Sequence, residues 1–92
     1  MMKTFHVDIV SPTKVICSQE AVSLVVPAEL GYLGVLADHA PLLAHLVRGK
    51  IILRPDTNQV KIFQMNGQGF LEVAKNKVTV ILDSPVTDSS LN

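Results

Sequence analysis

Nowhere in this 92-residue chain do apolar residues keep a period of 3.6 for three turns; they come in short runs closed by turn-forming residues. Phe5, Val7 and Ile9 alternate with His6 and Asp8, the period of two expected of a half-buried strand, and Ser11-Pro12-Thr13 ends that run. Val15-Ile16-Cys17 is a second run. Ala21 to Val26 make a third, which stops at Pro27, and residues 42–47, 51–53, 60–65, 70–73 and 78–82 follow, each of strand length. Pro41 would suit the head of a helix as well as of a strand, but the period at 40–47 is not sustained, so a strand is expected there. Pro55-Asp56-Thr57-Asn58 and Lys75-Asn76 are compact turn segments, and Asn tolerates the positive φ that hairpin turns need. Short strands separated by turns predict an all-β sandwich or barrel.

The length allows one domain and no second core, and a core this small leaves only a few kcal/mol of net stability. Hydrophobic residues make up 48% and charged residues 17%, against roughly 25% charged in an ordinary soluble domain. A small domain short of surface charge suits a subunit that buries part of its surface in an assembly, though it also suits a small sandwich that is mostly core. The net charge is +0 and no basic stripe is present, which argues against nucleic acid as a partner. Cys17 is the only cysteine, so intrachain disulfides and paired-thiolate zinc sites are excluded and a reducing compartment is expected. The start, interrupted by Asp8, has no apolar signal core, and no apolar run approaches the roughly 20 residues of a spanning helix. Any membrane association is expected to come through a partner.

Few residues could carry chemistry. His6 and Asp8 share one strand face, as two metal ligands could, but no third ligand has a readable place, so no metal site is assigned. Cys17 with His39, or Ser11 with His6, are the conceivable nucleophile pairs of a small hydrolase. Burial in an apolar run would raise the Cys17 pKa, the opposite of what a reactive thiolate needs, so a core thiol is the expected role. Gly31 and Gly34 permit a tight turn ahead of Pro41, and Gly69 precedes a strand, where it suggests a bulge or close backbone packing. Neither glycine segment is a phosphate cradle, because no Gly-Lys-Ser or Gly-Lys-Thr ending opens a helix.

These segments also resemble the signature of the ATP synthase epsilon chain. Gly31, Gly34, His39, Ala40, Pro41, Leu42 and Leu43 match its Gly-Glu-x-Gly and His-Ala-Pro-Leu motifs, and Gly69-Phe70-Leu71-Glu72-Val73 matches its later Gly-Gly-x-x-Glu-Val. Residues 5–11 and 78–83 fit the family's opening and closing strands. The resemblance covers residues 3–87, with residues 88–92 expected as a polar tail. It implies a flattened β-sandwich of about ten short strands and a non-catalytic place in the rotor, or central stalk. The partners it implies are the gamma subunit and the polar loops of the membrane c-ring, at the cytoplasmic face of the bacterial inner membrane. By the same match, Ser11, His39, Leu42 and Leu43 are expected to face gamma, and Tyr32 and Leu33, at the tip of the glycine loop, to reach the c-ring. Gly31, Gly34 and Gly69 are expected to be structural.

Tyr32 stands where the family often has Glu, Ala37-Asp38 replaces a frequent Pro-Gly, and Gln68 replaces the first Gly of the second motif. Without the helical hairpin that many relatives carry beyond the sandwich, the chain is expected to bind no nucleotide and no cofactor. The alternatives are a β-sandwich interaction module of another assembly and, behind it, a small Cys or Ser hydrolase.

Overall fold

The computed structural model describes residues 2–88, which form β1 (Phe5–Val10), β2 (Val15–Ala21), β3 (Ser23–Ala28), β4 (Gly31–Leu36), β5 (Leu42–Leu46), β6 (Gly49–Arg54), β7 (Lys61–Met65), β8 (Gly69–Ala74), β9 (Lys77–Leu82) and β10 (Val86–Asp88). No helix occurs among the described residues. The fold is all-β, as expected. Alternation in the sequence is alternation of burial: β1 buries Phe5, Val7 and Ile9 and leaves His6, Asp8 and Val10 outside, while β9 buries Val78, Val80 and Leu82.

The strands make one hydrogen-bonded sheet in the order β10-β7-β6-β3-β5-β8-β9-β1-β2, with β4 on the far edge of β3. Folded on itself, that sheet gives a layer of β4, β3, β6, β7 and β10 over a layer of β5, β8, β9, β1 and β2. Three pairs of strands run in series through both layers. β5 leads into β6, β7 into β8 and β9 into β10; β6 pairs with β7 and β7 with β10 in one layer, and β5 pairs with β8 and β8 with β9 in the other. A strand changes layers where its ladder is interrupted, here at residues 47–48, 66–68 and 83–85. At the first corner the backbone packs so closely that a Cβ on Gly49 would lie 2.6 Å from Pro27 Cβ and 2.9 Å from the Tyr32 hydroxyl.

β3 bridges the two layers along one edge. It pairs with β6 over Ser23–Val25 and with β5 at Ala28, and between them the Val47 N–H donates to the Pro27 carbonyl at 2.8 Å. Phe5, Ile9, Leu24, Leu46, Ile51, Leu53, Met65 and Leu71 fill the space between the layers, each essentially without solvent contact. Full burial stabilises by about 1.5–3 kcal/mol per large apolar side chain. No polar or charged residue is buried among those described.

The two missing strands have specific causes. Residues 31–36, read as a tight turn because of their two glycines, form β4, and the turn proper is Glu29-Leu30. Gly31 has the φ of +130° that leaves this turn, whereas Gly34 is an ordinary strand residue with open space beside it. Pro27 does not end β3; it falls where that strand passes from β6 to β5, and its carbonyl still accepts a bond. β10 has three residues and no pattern to read. It takes in Asp88, which pairs with Phe63, so the expected polar tail begins inside a strand; residues 89–92 lie outside the described residues. Lys75 and Asn76, with φ of 52° and 60°, make the two-residue hairpin turn that Asn was expected to favour.

Candidate interaction surface

The conceivable nucleophile pairs are kept apart. Cys17 is buried, its thiol donates to Gln19 Oε1 at 3.2 Å, and burial pushes its pKa up. His39 lies in the β4–β5 connection with Nδ1 on the Ala40 carbonyl at 2.7 Å, and Ser11 Oγ donates to the Lys14 carbonyl at 3.3 Å. His6 pairs with neither nucleophile. Its Nδ1 faces Glu20 Oε2 at 3.1 Å and its Nε2 faces Asp8 Oδ1 at 3.0 Å, and these bonds, Glu20 first, raise its pKa. Ser18 donates to Asp8 at 2.6 Å and is the main reason that carboxyl sits below its usual range. Among the described residues, no group of three His, Cys, Asp or Glu side chains could hold a metal ion.

What the fold builds instead is a surface. On the outer face of the β5-β8-β9-β1-β2 layer, register puts His45 opposite Phe70, Phe70 opposite Ile81, Ile81 opposite Val10 and Val10 opposite Val15. This row crosses five strands, roughly 19 Å at the usual strand spacing. Phe70, Ile81 and Val15 are 58%, 51% and 62% exposed, large apolar side chains that an isolated domain gains nothing by displaying. The next rows toward the other end carry Glu72, Thr79, Asp8 and Ser18, then Lys77, His6 and Glu20. The face therefore has an apolar end and a polar end. Beside the apolar row a shallow cavity of about 350 Å³ lies between His45, Phe70, Ile81 and Leu82.

Of the residues expected to face gamma, Leu43 projects from this outer face, 75% exposed and opposite Glu72. Leu42, its neighbour on β5, points the other way and packs on the core. Ser11 follows Val10 at the apolar end, whereas His39 precedes β5 at the polar end, so the four do not form one cluster. Of the two expected at a loop tip, Tyr32 stands on β4 opposite Pro27 and its hydroxyl accepts the Lys50 N–H at 3.1 Å, while Leu33 packs on the core. The tip is the β3–β4 turn, where Leu30 is 102% exposed. Among the glycines, Gly69 is confined, since a Cβ there would meet the Ile81 carbonyl.

Phe70, Ile81, Val15 and Leu30 were not singled out from sequence. A signal for the first three existed: at 70–71, 80–82 and 15–16 consecutive residues are apolar, and in a two-layered fold one parity of such a run must face outward.

The chain is similar to known proteins over nearly its whole length. Residues 4–88 match the family described as "ATP synthase, Delta/Epsilon chain, beta-sandwich domain". The ATP synthase epsilon chain of Alkalilimnicola ehrlichii is 42% identical over 83 residues, covering 90% of this chain and 59% of that one. That of Dichelobacter nodosus is 35% identical over 92 residues, covering 100% and 64%. This chain thus spans about three fifths of the length of these relatives. Among solved structures, a chain in the Euglena gracilis mitochondrial ATP synthase assembly of OSCP, F1 and c-ring superposes with a TM-score of 0.87 at 14% identity, covering 100% of this chain and 58% of that one, a likeness of fold.

Proposed function

Because the chain belongs to the ATP synthase delta/epsilon family, by its β-sandwich domain, we propose that it works as a non-catalytic rotor part, carrying rotation between the gamma subunit and the c-ring. It then sits at the cytoplasmic face of the bacterial inner membrane, held there by its partners; no helix among the described residues is long and apolar enough to cross a membrane. The observation that carries the reading is the apolar row on a sheet face that the domain itself leaves bare. A part that transmits torque needs broad contact on a stiff frame, and a cross-strand row of Phe70, Ile81, Val10 and Val15 on four hydrogen-bonded strands supplies both.

In this reading gamma covers the outer face, with Ser11 at its apolar end, Leu43 projecting from it opposite Glu72, and His39 and Leu42 shaping the far end of β5. Leu30 and Tyr32 face the polar loops of the c-ring, with Leu33 fixing β4 beneath them. Nothing in this arrangement requires a bound nucleotide or cofactor. The test is binding of purified gamma to Phe70→Asp and Ile81→Asp chains. Both side chains are more than half exposed in the free chain, so stability should fall by only about 1 kcal/mol, the strand-propensity cost of Asp, while affinity for gamma falls at least tenfold. Unchanged affinity in both would remove the outer face from the interface.

A further inference from the structure

A sheet that does not close has edges, and an edge strand displays backbone N–H and C=O groups to which another strand can add. Among the described residues three strands stand at an edge, β2 and β10 at the two ends of the sheet order and β4 beyond β3. Two of them are guarded. β10 has three residues and carries Asp88, and β2 starts beside a register shift at Ile9 and Val10 and carries Ser18, Gln19 and Glu20. β4 has six residues in unbroken register with β3 and holds no charge and no proline.

The bonds of β3 tell which groups of β4 are open. On its other side the Pro27 carbonyl accepts from Val47 and the Glu29 N–H donates to His45, so the N–H and C=O of Ala28 turn toward Gly31. By alternation Gly31, Leu33 and Val35 bond to β3, and the backbone groups of Tyr32, Gly34 and Leu36 point off the sheet. The Leu36 carbonyl accepts the His39 N–H at 3.2 Å; the others have no backbone partner among the described residues. The same three residues turn their side chains outward, Tyr32 and Leu36 at 60% and 63% exposed, while a Cβ on Gly34 would meet nothing within 4 Å.

We propose that β4 is a docking edge on which a second copy of this chain pairs, β4 against β4, antiparallel about a two-fold axis at Gly34. That register is self-complementary. Gly34 faces Gly34 of the other copy, and Tyr32 of each copy faces Leu36 of the other, so the N–H of every one of these residues meets a carbonyl and the second lone pair of the Leu36 oxygen is used. Each Tyr–Leu pair covers apolar surface that is bare in the single chain, and with no charge on either strand nothing repels. The seam is narrow. Six residues span roughly 20 Å, which buries less than the roughly 800 Å² a side of a standard interface, so the dimer is weak, with a Kd of about 0.1–1 mM. Pairing also covers Tyr32, so a paired chain cannot offer that residue to a c-ring; this exclusion rests on the rotor reading, and the pairing does not.

The test uses the free chain from about 20 μM to 2 mM, a range that brackets the expected Kd. Sedimentation should show a monomer turning into a dimer, and NMR should show the Tyr32, Gly34 and Leu36 amides gaining protection from solvent exchange as it forms. Leu36→Glu, a change at an exposed side chain, should weaken the dimer at least tenfold. Gly34→Pro, which removes the N–H at the axis, should do the same, with melting of each variant at the lowest concentration as the check that it is folded. A chain that stays monomeric to 2 mM overturns the proposal. So does a dimer that Leu36→Glu leaves intact and Ile81→Asp abolishes, which would put the contact on the apolar face instead. A wild type that stays monomeric while Leu36→Glu loses affinity for gamma would give the edge to gamma and equally overturn pairing of two copies. Because the dimer is measured without gamma, its failure says nothing against docking of the outer face, and failure of docking says nothing against the dimer.

Discussion

Replacing Gly49 with Ala adds one carbon where the β5–β6 strand changes layers, and the structure sets the cost. The new Cβ would stand 2.6 Å from Pro27 Cβ and 2.9 Å from the Tyr32 hydroxyl, so either the corner opens or β3 and β4 shift. Overpacking of this kind costs typically about 1–3 kcal/mol. The Gly49 φ of +155° adds backbone strain for any other residue, on the order of 1 kcal/mol. Together the loss is about 2–4 kcal/mol, most or all of the few kcal/mol of net stability that a core this small leaves. At about 4–8 °C per kcal/mol for a chain of this size, the midpoint should fall by roughly 8–30 °C. Gly34→Ala is the control: its φ is not positive and a Cβ there meets nothing within 4 Å, so it should be neutral or gain about 0.4–1 kcal/mol through the unfolded chain. Thermal melts of both variants by circular dichroism decide the matter. If Gly49→Ala melts with Gly34→Ala, the corner is not a tight packing point and the account of how the strands change layers is wrong.

Tyr32→Phe removes the acceptor for the Lys50 N–H and should cost about 0.5–1.5 kcal/mol in urea unfolding, with the slope unchanged; no loss would mean that water replaces the hydroxyl freely. His6 has a raised pKa, so its contribution to stability is full below the ordinary histidine value and fades as pH rises through the folded value. The lowered Asp8 and Glu20 contribute above their ordinary values and lose that contribution as pH falls through the folded ones. The midpoint of wild type should therefore fall as pH rises above the ordinary histidine value, and His6→Gln should flatten that arm; an unchanged arm would show that the His6 bonds do not matter to the folded state. Cys17, buried with its pKa pushed up, should resist iodoacetamide in the folded chain at neutral pH and react fully in denaturant, as read by mass spectrometry. Rapid native labelling would return the thiol to the list of reactive groups.

The sequence was most informative where burial is one-sided. Phe5, Val7 and Ile9 alternate with polar residues because one face of β1 is core and the other is not, and such strands could be read directly. Reading failed where a residue's role is set by a partner far along the chain. Gly31 and Gly34 look alike as letters, yet one opens β4 at positive φ straight out of a turn and the other lies mid-strand, a difference made by where each falls in the pairing with β3. Gly49 drew no attention because its constraint comes from Pro27, more than twenty residues away. The docking residues were harder still. Family likeness pointed to Leu42 and Leu43 together, whereas the pleat turns one inward and the other outward. Phe70 and Ile81 were seen as strand residues, but that they stand side by side follows only from the β8–β9 register.

The parallel pairing of β1 with β9 sets the order in which the chain can fold as it is made. Val7 lies against Val78, and β1 has no other neighbour in its layer except β2. The hairpin that emerges first must therefore wait for the strand that emerges nearly last. With about 70 residues between them and synthesis at about 5–20 residues per second, that wait is roughly 4–14 s. Throughout it, Phe5, Val7 and Ile9 have only the facing residues of β2 for cover, and two isolated strands are marginal at best in water. Closing so long a loop is also slow by nature, because the entropy is lost before the contacts form. A nascent chain of this kind leaves its first apolar strand open to a chaperone, or to another nascent copy, until the synthesis of β9 is complete.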